Sequence, residues 1–514
     1  MVLVDSKQNK IMSMNQIVTI LKEDKQKGLT IVQCHGVFDL IHPGHIRHFR
    51  EAKSKGDRLV VSITPDRFVN KGPGRPAFPE DLRLESLAAL EDIDYVVLND
   101  APDAVSAIVK IQPDFYVKGI EYSNPADDVT GKISEEARAV ESVGGKVYFT
   151  DDIVFSSSTL LNRYFEPLTR EVSDFLTKFK ADYTSNDIIK KIEAFSKLKV
   201  LVIGDAIVDE YQYTNPLGQS GKGLHMVARC LEKDAFLGGA LIIANHVAEF
   251  VKEVTLVTAV GKNCPYANFI SQNLDKKVKP RFSYISDSKT LVKKRYVMKD
   301  GKNLSKLFET YSGYDEMQTQ DQIEGITQFL QEKASSFDLV LVCDFGNGFL
   351  NDQIVDAISD VPTFLAINTQ INSGNRGYNV ITKYKRADYI SLNEPELRLA
   401  AHDRTSKLEG IASDISEIMN CKYLAVTRGV QGVLCSSVEN QPITIPAMTT
   451  NAIDRIGAGD SYLAISSLGM SQGCPMVLSA FLGSLAAAMS VQMIGNQESI
   501  KKAPLCKYLI RMMK

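Results

Sequence analysis

Four of the seven histidines in this chain lie between residues 35 and 48. His42 and His45 are three residues apart in the run His-Pro-Gly-His, between an apolar strand-like run and a helical pattern. Pro43 suits the first helical position, so both imidazoles are expected on one face of the first turn. The free amides of a helix start attract anions, and Gly44 leaves room for a phosphate. This spacing predicts phosphate chemistry.

A second candidate site is the turn Gly457-Ala458-Gly459-Asp460, which also opens a predicted helix. Its amides would form a nest for a γ-phosphate, and Asp460 would accept a proton from an attacking hydroxyl. Asn393 and Glu396 end a predicted strand, and their side-chain oxygens suit a hydrated Mg²⁺ near the phosphates. The spacing therefore predicts phosphoryl transfer.

Strand-like and helical patterns alternate along the whole chain, which predicts parallel α/β sheets with ligands at the carboxyl ends of the strands. We predict two domains, at residues 1–165 and 198–514, joined by a helical linker at 166–197. The predicted strands are 29–32, 58–63, 95–98, 115–117, 146–149, 200–205, 254–260, 339–344, 389–396 and 423–429.

Composition narrows the functional class. The net charge is −3 and Trp is absent, which argues against a nucleic-acid partner. Eight cysteines without a C-x-x-C pair indicate reduced thiols. The apolar stretch 476–494 contains Ser, Gly and Gln and is interpreted as a buried helix. A soluble, cytoplasmic enzyme without a membrane partner is expected.

The His-Pro-Gly-His stretch resembles the His-x-Gly-His signature of cytidylyltransferase-like nucleotidyltransferases. The likeness covers about residues 28–165, includes 71–76, Arg83, 117–119 and 156–159, and is greatest to the adenylyltransferase half of bifunctional heptose kinase/adenylyltransferases. His42 and His45 would bind the triphosphate, while Lys71 and Arg75 would balance charge on the leaving pyrophosphate. The other residues expected at the nucleotide are Gly36, Phe38, Asp39, Lys118, Ser156, Ser157, Ser158 and Thr159.

Two points in this half stay open. Asp39 would either line the site, as the resemblance implies, or cap the helix. The nucleotidyl donor would be CTP or ATP, because base recognition in this fold is largely by backbone and loop.

The second half is similar to the ribokinase-like (PfkB) sugar kinases over about residues 198–512, where Gly-Asp, Gly-Gly, N-x-x-E, T-x-G and G-A-G-D follow in order. The resemblance implies ATP as phosphoryl donor and Mg²⁺ as cofactor, with Asp460 as base. The implied sugar contacts are Asp209, Gly238 and Gly239. The implied nucleotide contacts are Thr427, Gly429, Gly457, Ala458 and Gly459.

Three positions depart from that family pattern. Ile242 replaces a usual Asn, while Asn347 and Gln370 replace usual lysines. Either the kinase takes a different acceptor, or the domain is degenerate and acts as a sugar or nucleotide sensor or a dimerisation scaffold.

The resulting prediction is a bifunctional enzyme that phosphorylates a sugar or polyol and then joins the sugar phosphate to a nucleotide, giving an NDP-sugar for glycan synthesis. A homo-oligomer is expected from the family likeness alone.

Overall fold

The computed structural model describes residues 10–69, 72–120, 132–150, 168–286, 289–300, 303–313, 318–375 and 377–514. The chain divides into two compact units. The first comprises Met1–Thr169 together with Cys506–Lys514, and the second comprises Arg170–Leu505.

The described part of the first unit is a parallel sheet flanked by helices. Its elements are β1 (Ile11–Met12), α1 (Met14–Gln26), β2 (Ile31–Gly36), α2 (Pro43–Lys53), β3 (Arg58–Ile63), α3 (Glu80–Ala88), β4 (Tyr95–Leu98), α4 (Val105–Ile111), β5 (Phe115–Gly119), α5 (Lys132–Ser142) and β6 (Lys146–Thr150). The strand order is β1-β4-β3-β2-β5-β6, and all the pairings are parallel.

Neighbouring residues of the central strands point to opposite faces, and both faces are buried. Val61 packs on the face covered by Phe49 of α2, whereas Val60 packs on the face covered by Ile17 of α1. The predicted strand at 29–32 is found at Ile31–Gly36, because β2 pairs with β3 along its full length. The loop before α2 therefore starts at the carboxyl edge of the sheet.

The second unit contains a large sheet, a small sheet and their helices. Its elements are α6 (Arg170–Asp182), α7 (Ser185–Ala194), β7 (Lys199–Gly204), β8 (Ala206–Gln219), β9 (Met226–Gly239), α8 (Ala240–Ala248), β10 (Glu253–Gly261), α9 (Ala267–Asn273), β11 (Val278–Ile285), β12 (Leu291–Asp300), β13 (Asn303–Ser312), α10 (Gln320–Lys333), β14 (Leu339–Asp344), α11 (Asp352–Ser359), β15 (Leu365–Thr369), β16 (Tyr389–Asn393), α12 (Glu394–Ala400), α13 (Leu408–Ile418), β17 (Tyr423–Thr427), β18 (Val433–Ser437), β19 (Ile443–Ile445), α14 (Ala458–Ser471) and α15 (Met476–Ser490). The last helix, α16 (Lys502–Met513), begins in the second unit, and its residues from Cys506 onward belong to the first.

The large sheet has nine strands in the order β11-β10-β7-β14-β15-β16-β17-β18-β19. It is parallel from β11 to β17 and antiparallel at β18 and β19. Its core joins strand residues such as Val342 to Ile326 of α10, Ile354 of α11 and Ile415 of α13. The predicted α/β class is thereby confirmed.

The small sheet, β13-β12-β8-β9, contains one parallel pair, β12 with β8, between two antiparallel pairs. The parallel pairing sets Lys293 beside Asp209 and Arg295 beside Tyr211. Because residues two apart on a strand share a face, Lys293 and Arg295 lie on one face of β12. This sheet therefore carries charged side chains of both signs.

The described part of the segment between the predicted domains, from residue 168 onward, is largely helical. Helices α6 and α7 both lie in the second unit, where Phe179 packs against Phe481 of α15 with ring centroids 4.6 Å apart. Helix α15 is mostly buried, and among the described residues no helix is long and apolar enough to span a membrane. All eight cysteines lie in the described ranges, and none of them forms a disulfide bond.

Candidate active sites

The His-Pro-Gly-His turn lies at the carboxyl end of β2. His42 is the residue before helix α2, with extended backbone, and Pro43 is the first helical residue. The rings of His42 and His45 stack with centroids 4.0 Å apart and an interplanar angle of 28°. The stacking follows from their three-residue spacing on the first turn. Two imidazoles thus lie beside the amide end of a helix.

His42 is buried, and neither ring nitrogen has a hydrogen-bond partner among the described residues. Burial lowers the pKa of His42 below its ordinary value. The imidazole is therefore neutral at pH 7 and keeps one N–H donor. A buried donor without a partner is costly, so the geometry favours a ligand with acceptor oxygens.

The other two histidines of this stretch have side-chain partners of their own. His35 Nδ1 lies 2.9 Å from Ser62 Oγ, and His48 Nδ1 lies 2.9 Å from Thr150 Oγ1. Burial, with the charge of Lys118 as a smaller cause, lowers the pKa of His35 to about 3 and of His48 to about 4. Both are neutral residues: His35 joins β2 to β3, and His48 joins α2 to β6.

Asp39 braces a loop. Its Oδ1 accepts hydrogen bonds from the Ala77 and Phe78 amides at 2.8 and 3.0 Å, and its Oδ2 lies 3.6 Å from Nη1 of Arg75. The capping alternative was wrong, because His42 occupies the N-cap and makes no side-chain cap hydrogen bond. Asp39 instead fixes the segment that follows the expected phosphate-binding Lys71.

Lys118 is held by a partner that the sequence analysis missed. Its Nζ lies 2.9 Å from Oε2 of Glu136, which also accepts a hydrogen bond from the Tyr116 hydroxyl at 3.0 Å. Glu136 lies on α5 and is buried. Its carboxylate therefore balances part of the Lys118 charge at the end of β5.

Of the remaining predicted residues of the first site, the structure describes some and not others. Gly36 ends β2, and Phe38 packs edge-on to His45 with ring centroids 5.4 Å apart. Lys71 and the run Ser156 to Thr159 lie outside the described residues.

In the second unit, most of the predicted residues line one cavity of about 320 Å³. Those on its wall are Asp209, Gly239, Asn393, Glu396, Thr427, Gly457, Gly459 and Asp460. Three predicted residues are not on the wall but are close in sequence to residues that are. Gly238 precedes Gly239, Ala458 lies between Gly457 and Gly459, and Gly429 lies two residues after Thr427. The cavity also has lining residues that the sequence analysis did not select as site residues: Ile207, Lys293, Arg295, Phe345, Asn368, Gln370, Ile371, Ser391, Leu392, Arg455 and Ile456.

One end of the cavity carries an ionic cluster from the small sheet. Arg295 Nη1 donates to Oδ1 of Asp209, and Arg295 Nε lies 3.2 Å from Oε2 of Glu309. The pKa of Arg295 is raised although burial opposes it, because Asp209 is so close. Lys293 is also buried, and burial lowers its pKa. In the sequence, the alternation of Lys293 and Arg295 was the signal from which these two cavity residues could have been predicted.

Two glycines, Gly238 and Gly239, allow β8 and β9 to lie close together beside Asp209. A Cβ on Gly238 would lie 2.5 Å from Oδ2 of Asp209. Gly239 has φ of +57°, and a Cβ there would lie 2.4 Å from the Asp205 carbonyl oxygen. Side chains at either position would push β8 from β9, so the Gly-Gly pair allows Asp209 to reach the cavity.

Asp460, in the wall of the same cavity, lies in the first turn of α14 and is buried. Gln370 Nε2 donates a 2.9 Å hydrogen bond to Oδ1 of Asp460. Burial and the negative charge of Asp209 raise the pKa of Asp460 to about 6, while Gln370 opposes the shift. Asp460 is thus ionised at neutral pH and basic enough to take a hydroxyl proton.

Asn393 and Glu396 form a capping box at the start of α12. Asn393 Oδ1 accepts the Glu396 amide and Glu396 Oε2 accepts the Asn393 amide, each at 2.8 Å. Burial raises the pKa of Glu396 to about 7. Both residues line the cavity, but these oxygens already accept hydrogen bonds, so the pair suits Mg²⁺ held through its water molecules.

The three departures from the family pattern are separated in space. Gln370 lines the first cavity, whereas Ile242 lines a second one of about 220 Å³. Asn347 lies in neither wall, and its Oδ1 accepts a 3.4 Å hydrogen bond from Asn372. The substitution at 242 therefore does not alter the wall that carries Asp460.

In each unit, a helix begins at the edge of a sheet, beside buried side chains that suit phosphate groups. This arrangement is typical of enzymes that bind nucleotides. The chain belongs to the pfkB family carbohydrate kinases, which match residues 197–503, and to the Cytidylyltransferase-like family, which matches residues 34–295. The matches overlap over 197–295, a stretch that lies in the second unit. The predicted fusion of a nucleotidyltransferase-like domain with a PfkB-type kinase domain is confirmed.

Curated relatives agree with this assignment. The chain is 37% identical over 155 residues to Bifunctional protein HldE of Gluconobacter oxydans, and 38% identical over 148 residues to that of Alcanivorax borkumensis. These alignments cover 30% and 28% of this chain and 31% and 30% of the relatives, so the chain spans about a third of the length of the curated relatives it matches.

A solved phosphofructokinase-2 from Escherichia coli, in its tetrameric inhibited form, covers 62% of this chain and 100% of its own. The TM-score is 0.50 at 14% identity, which is a likeness of fold alone.

Proposed function

We propose that this chain activates a sugar or polyol in two steps. The second unit transfers phosphate from ATP to a hydroxyl, and the first joins a sugar phosphate to a nucleotide, giving an NDP-sugar for glycan synthesis. The observation that carries the proposal is Asp460, a buried carboxylate with its pKa raised to about 6 at the amide end of α14.

In the kinase step, Asp209 would orient the acceptor hydroxyl and Asp460 would take its proton. The hydroxyl oxygen bonds to the γ-phosphorus as the bond to the β-phosphate oxygen breaks, and ADP leaves. Amides of the Gly457–Asp460 turn would hold the transferred phosphoryl group. Mg²⁺, when bound, neutralises phosphate charge, and Asn393 and Glu396 would hold its water ligands.

In the transferase step, an oxygen of the sugar phosphate attacks the α-phosphorus of CTP or ATP and pyrophosphate leaves. His42 and His45 would donate N–H groups to the triphosphate, which places the anions in line and offsets developing charge. The unpartnered ring nitrogens of buried His42 support this role. Lys71 and Ser156 to Thr159 keep their predicted roles at the triphosphate.

A second function is favoured by Gln370, which leaves a neutral amide beside Asp460 where the family usually has a cation. In that case the second unit senses a sugar or nucleotide, or forms a dimerisation scaffold, and the first unit is the enzyme. The tetrameric phosphofructokinase-2 supports a homo-oligomer under either function.

The decisive experiment uses the full chain and two reciprocal variants. ADP formation is measured with a panel of sugars and polyols, and pyrophosphate release with ATP, CTP, GTP or UTP against their phosphates. We expect Asp460→Asn to abolish only ADP formation and His45→Ala to abolish only pyrophosphate release. ADP formation that is absent with every acceptor would favour the sensor function, whereas ADP formation that is unchanged in Asp460→Asn would exclude Asp460 as the base. Pyrophosphate release unchanged in His45→Ala would refute the transferase assignment.

A further inference from the structure

A buried carboxylate joins the small sheet to the phosphate-binding turn. Asp454 lies three residues before Gly457 and is 4% exposed. From the small sheet, Lys306 Nζ on β13 donates to Oδ1 of Asp454 at 2.8 Å, and the Tyr211 hydroxyl on β8 donates to Oδ2 at 2.5 Å. Two strands of one sheet therefore meet a single carboxylate.

The same carboxylate also binds backbone on its other side. Oδ1 accepts the Ile456 amide at 3.2 Å, and Oδ2 accepts the Gly495 amide at 3.0 Å. Ile456 is the residue immediately before Gly457, so the Asp454 side chain folds the entry to the turn back on itself. Asp454 is the acceptor in each of these four hydrogen bonds, and such bonds stabilise the ionised form of a carboxylate.

The charge state of Asp454 agrees with that geometry. Burial alone would raise its pKa, but Lys306 and the Tyr211 hydroxyl together bring the pKa below its ordinary value. The Lys306 side chain is 39% exposed, whereas that of Asp454 is 1% exposed. Removal of the Lys306 ammonium would leave the negative charge of Asp454 buried without its counter-charge. Removing one partner of a buried ion pair in this way is strongly destabilising.

The turn itself has little freedom beside this anchor. Gly457 has φ of +81°, and a Cβ there would lie 2.0 Å from Oδ1 of Asn496. Asn496 follows Gly495, whose amide Asp454 binds. A shift of Asp454 would therefore move both loops that border the Gly457–Asp460 amides.

We propose that Asp454 and Lys306 are positioning residues that hold the Gly457–Asp460 turn in its phosphate-binding shape. That the turn binds phosphate rests on the proposed kinase function, but the geometry of the turn can be measured without turnover. Because Tyr211 and Asp209 lie on the same strand, this anchor also links the turn to the strand that carries the expected acceptor contact Asp209.

The test compares Lys306→Met, Lys306→Arg and a matched control, Lys233→Met, in the full chain. Lys233 lies on the same small sheet and pairs with Glu210 at 3.3 Å. Amide hydrogen exchange of residues 455–460 and the Kd of ATP are measured for each. We expect Lys306→Met to speed exchange and weaken ATP binding, each about tenfold. Lys306→Arg should restore both, and Lys233→Met should change neither.

Each other outcome has a defined meaning. Unchanged exchange in Lys306→Met, or an equal increase in Lys233→Met, would overturn the positioning role. Wild-type protein that neither binds ATP nor forms ADP would refute the kinase function, and the exchange comparison would still decide whether the pair shapes the turn. Faster exchange with unchanged ATP affinity in an active enzyme would also overturn the proposal.

Discussion

The carboxamide of Gln370 donates a 2.9 Å hydrogen bond to the carboxylate of Asp460. The ribokinase-like resemblance leads one to expect a lysine at 370, so a neutral donor here replaces a cation beside the expected base. A hydrogen bond to the ionised carboxylate favours that form, and Gln370 therefore opposes the upward pKa shift caused by burial and by Asp209.

The first prediction concerns the pH profile of ADP formation. A base acts when it is ionised, so activity falls as pH drops through the Asp460 pKa of about 6. Gln370→Leu removes the opposing hydrogen bond and raises this pKa further, so the acidic limb of kcat/KM should move up by about one pH unit. Gln318→Leu, which removes a buried side-chain donor to the Phe349 carbonyl, is the matched control. A limb that stays in place or moves to lower pH would contradict this role of Gln370.

The second prediction concerns Lys293. Its side chain is buried, its ammonium lies 5.5 Å from the Phe345 ring centroid, and it interacts electrostatically with the carboxylates of Asp209, Asp205 and Asp460. A buried cation in the wall of this cavity favours an acceptor with an anionic group. We expect Lys293→Met to raise the KM of such an acceptor by about tenfold or more and to leave the KM of ATP unchanged.

Its control is the neighbouring Lys294→Met. Lys294 points to the other face of β12 and pairs with Glu210 at 2.8 Å. Equal effects of the two substitutions on the acceptor KM would show that Lys293 has no specific role in acceptor binding.

The third prediction concerns the transferase site. His42→Ala removes a buried N–H donor, and pyrophosphate release should fall by about 10²–10³ in kcat/KM. His48→Gln on the same helix removes a ring that lies 2.9 Å from Thr150 Oγ1, and its activity should stay within a few-fold of wild type. ADP formation should persist in both variants. Full pyrophosphate release in His42→Ala would exclude this histidine from the site.

The fourth prediction concerns stability of the first unit. Arg83 is 1% exposed, and its guanidinium donates to four oxygens. These are the carbonyl oxygens of Val37, Thr64 and Phe78 and Oδ1 of Asp66. Arg83→Met leaves these oxygens without their donor, so the unit should lose about 3–5 kcal/mol of unfolding free energy.

The measurement is the urea midpoint for loss of pyrophosphate release. Arg50→Met serves as control, because Arg50 is 72% exposed at its side chain and lies 3.7 Å from Asp92. A surface pair of this kind contributes about 0–1 kcal/mol. Coincident midpoints for the two variants would show that the Arg83 network does not stabilise the unit.

The sequence by itself determined the features that depend on near neighbours along the chain. The spacing of His42 and His45 placed both rings on one turn, because residues three apart on a helix are adjacent. Alternating strand and helix patterns predicted two parallel sheets, since a parallel neighbour needs a crossover connection and that connection is usually a helix. Most of the residues that the family motifs predicted for the second unit then line one cavity, but more than half of the cavity's lining residues were not predicted.

Only the tertiary structure decided which charged groups meet. Gln370 and Asp460 are 90 residues apart, and Lys306 and Asp454 are 148 apart. Such contacts depend on strand order and register in the folded sheets, and local periodicity carries no information about either. For the same reason Asp39 was ambiguous until the fold brought the amides of residues 77 and 78 to its carboxylate. The roles of paired side chains therefore follow from long-range packing, whereas the helix starts that bear them follow from local sequence.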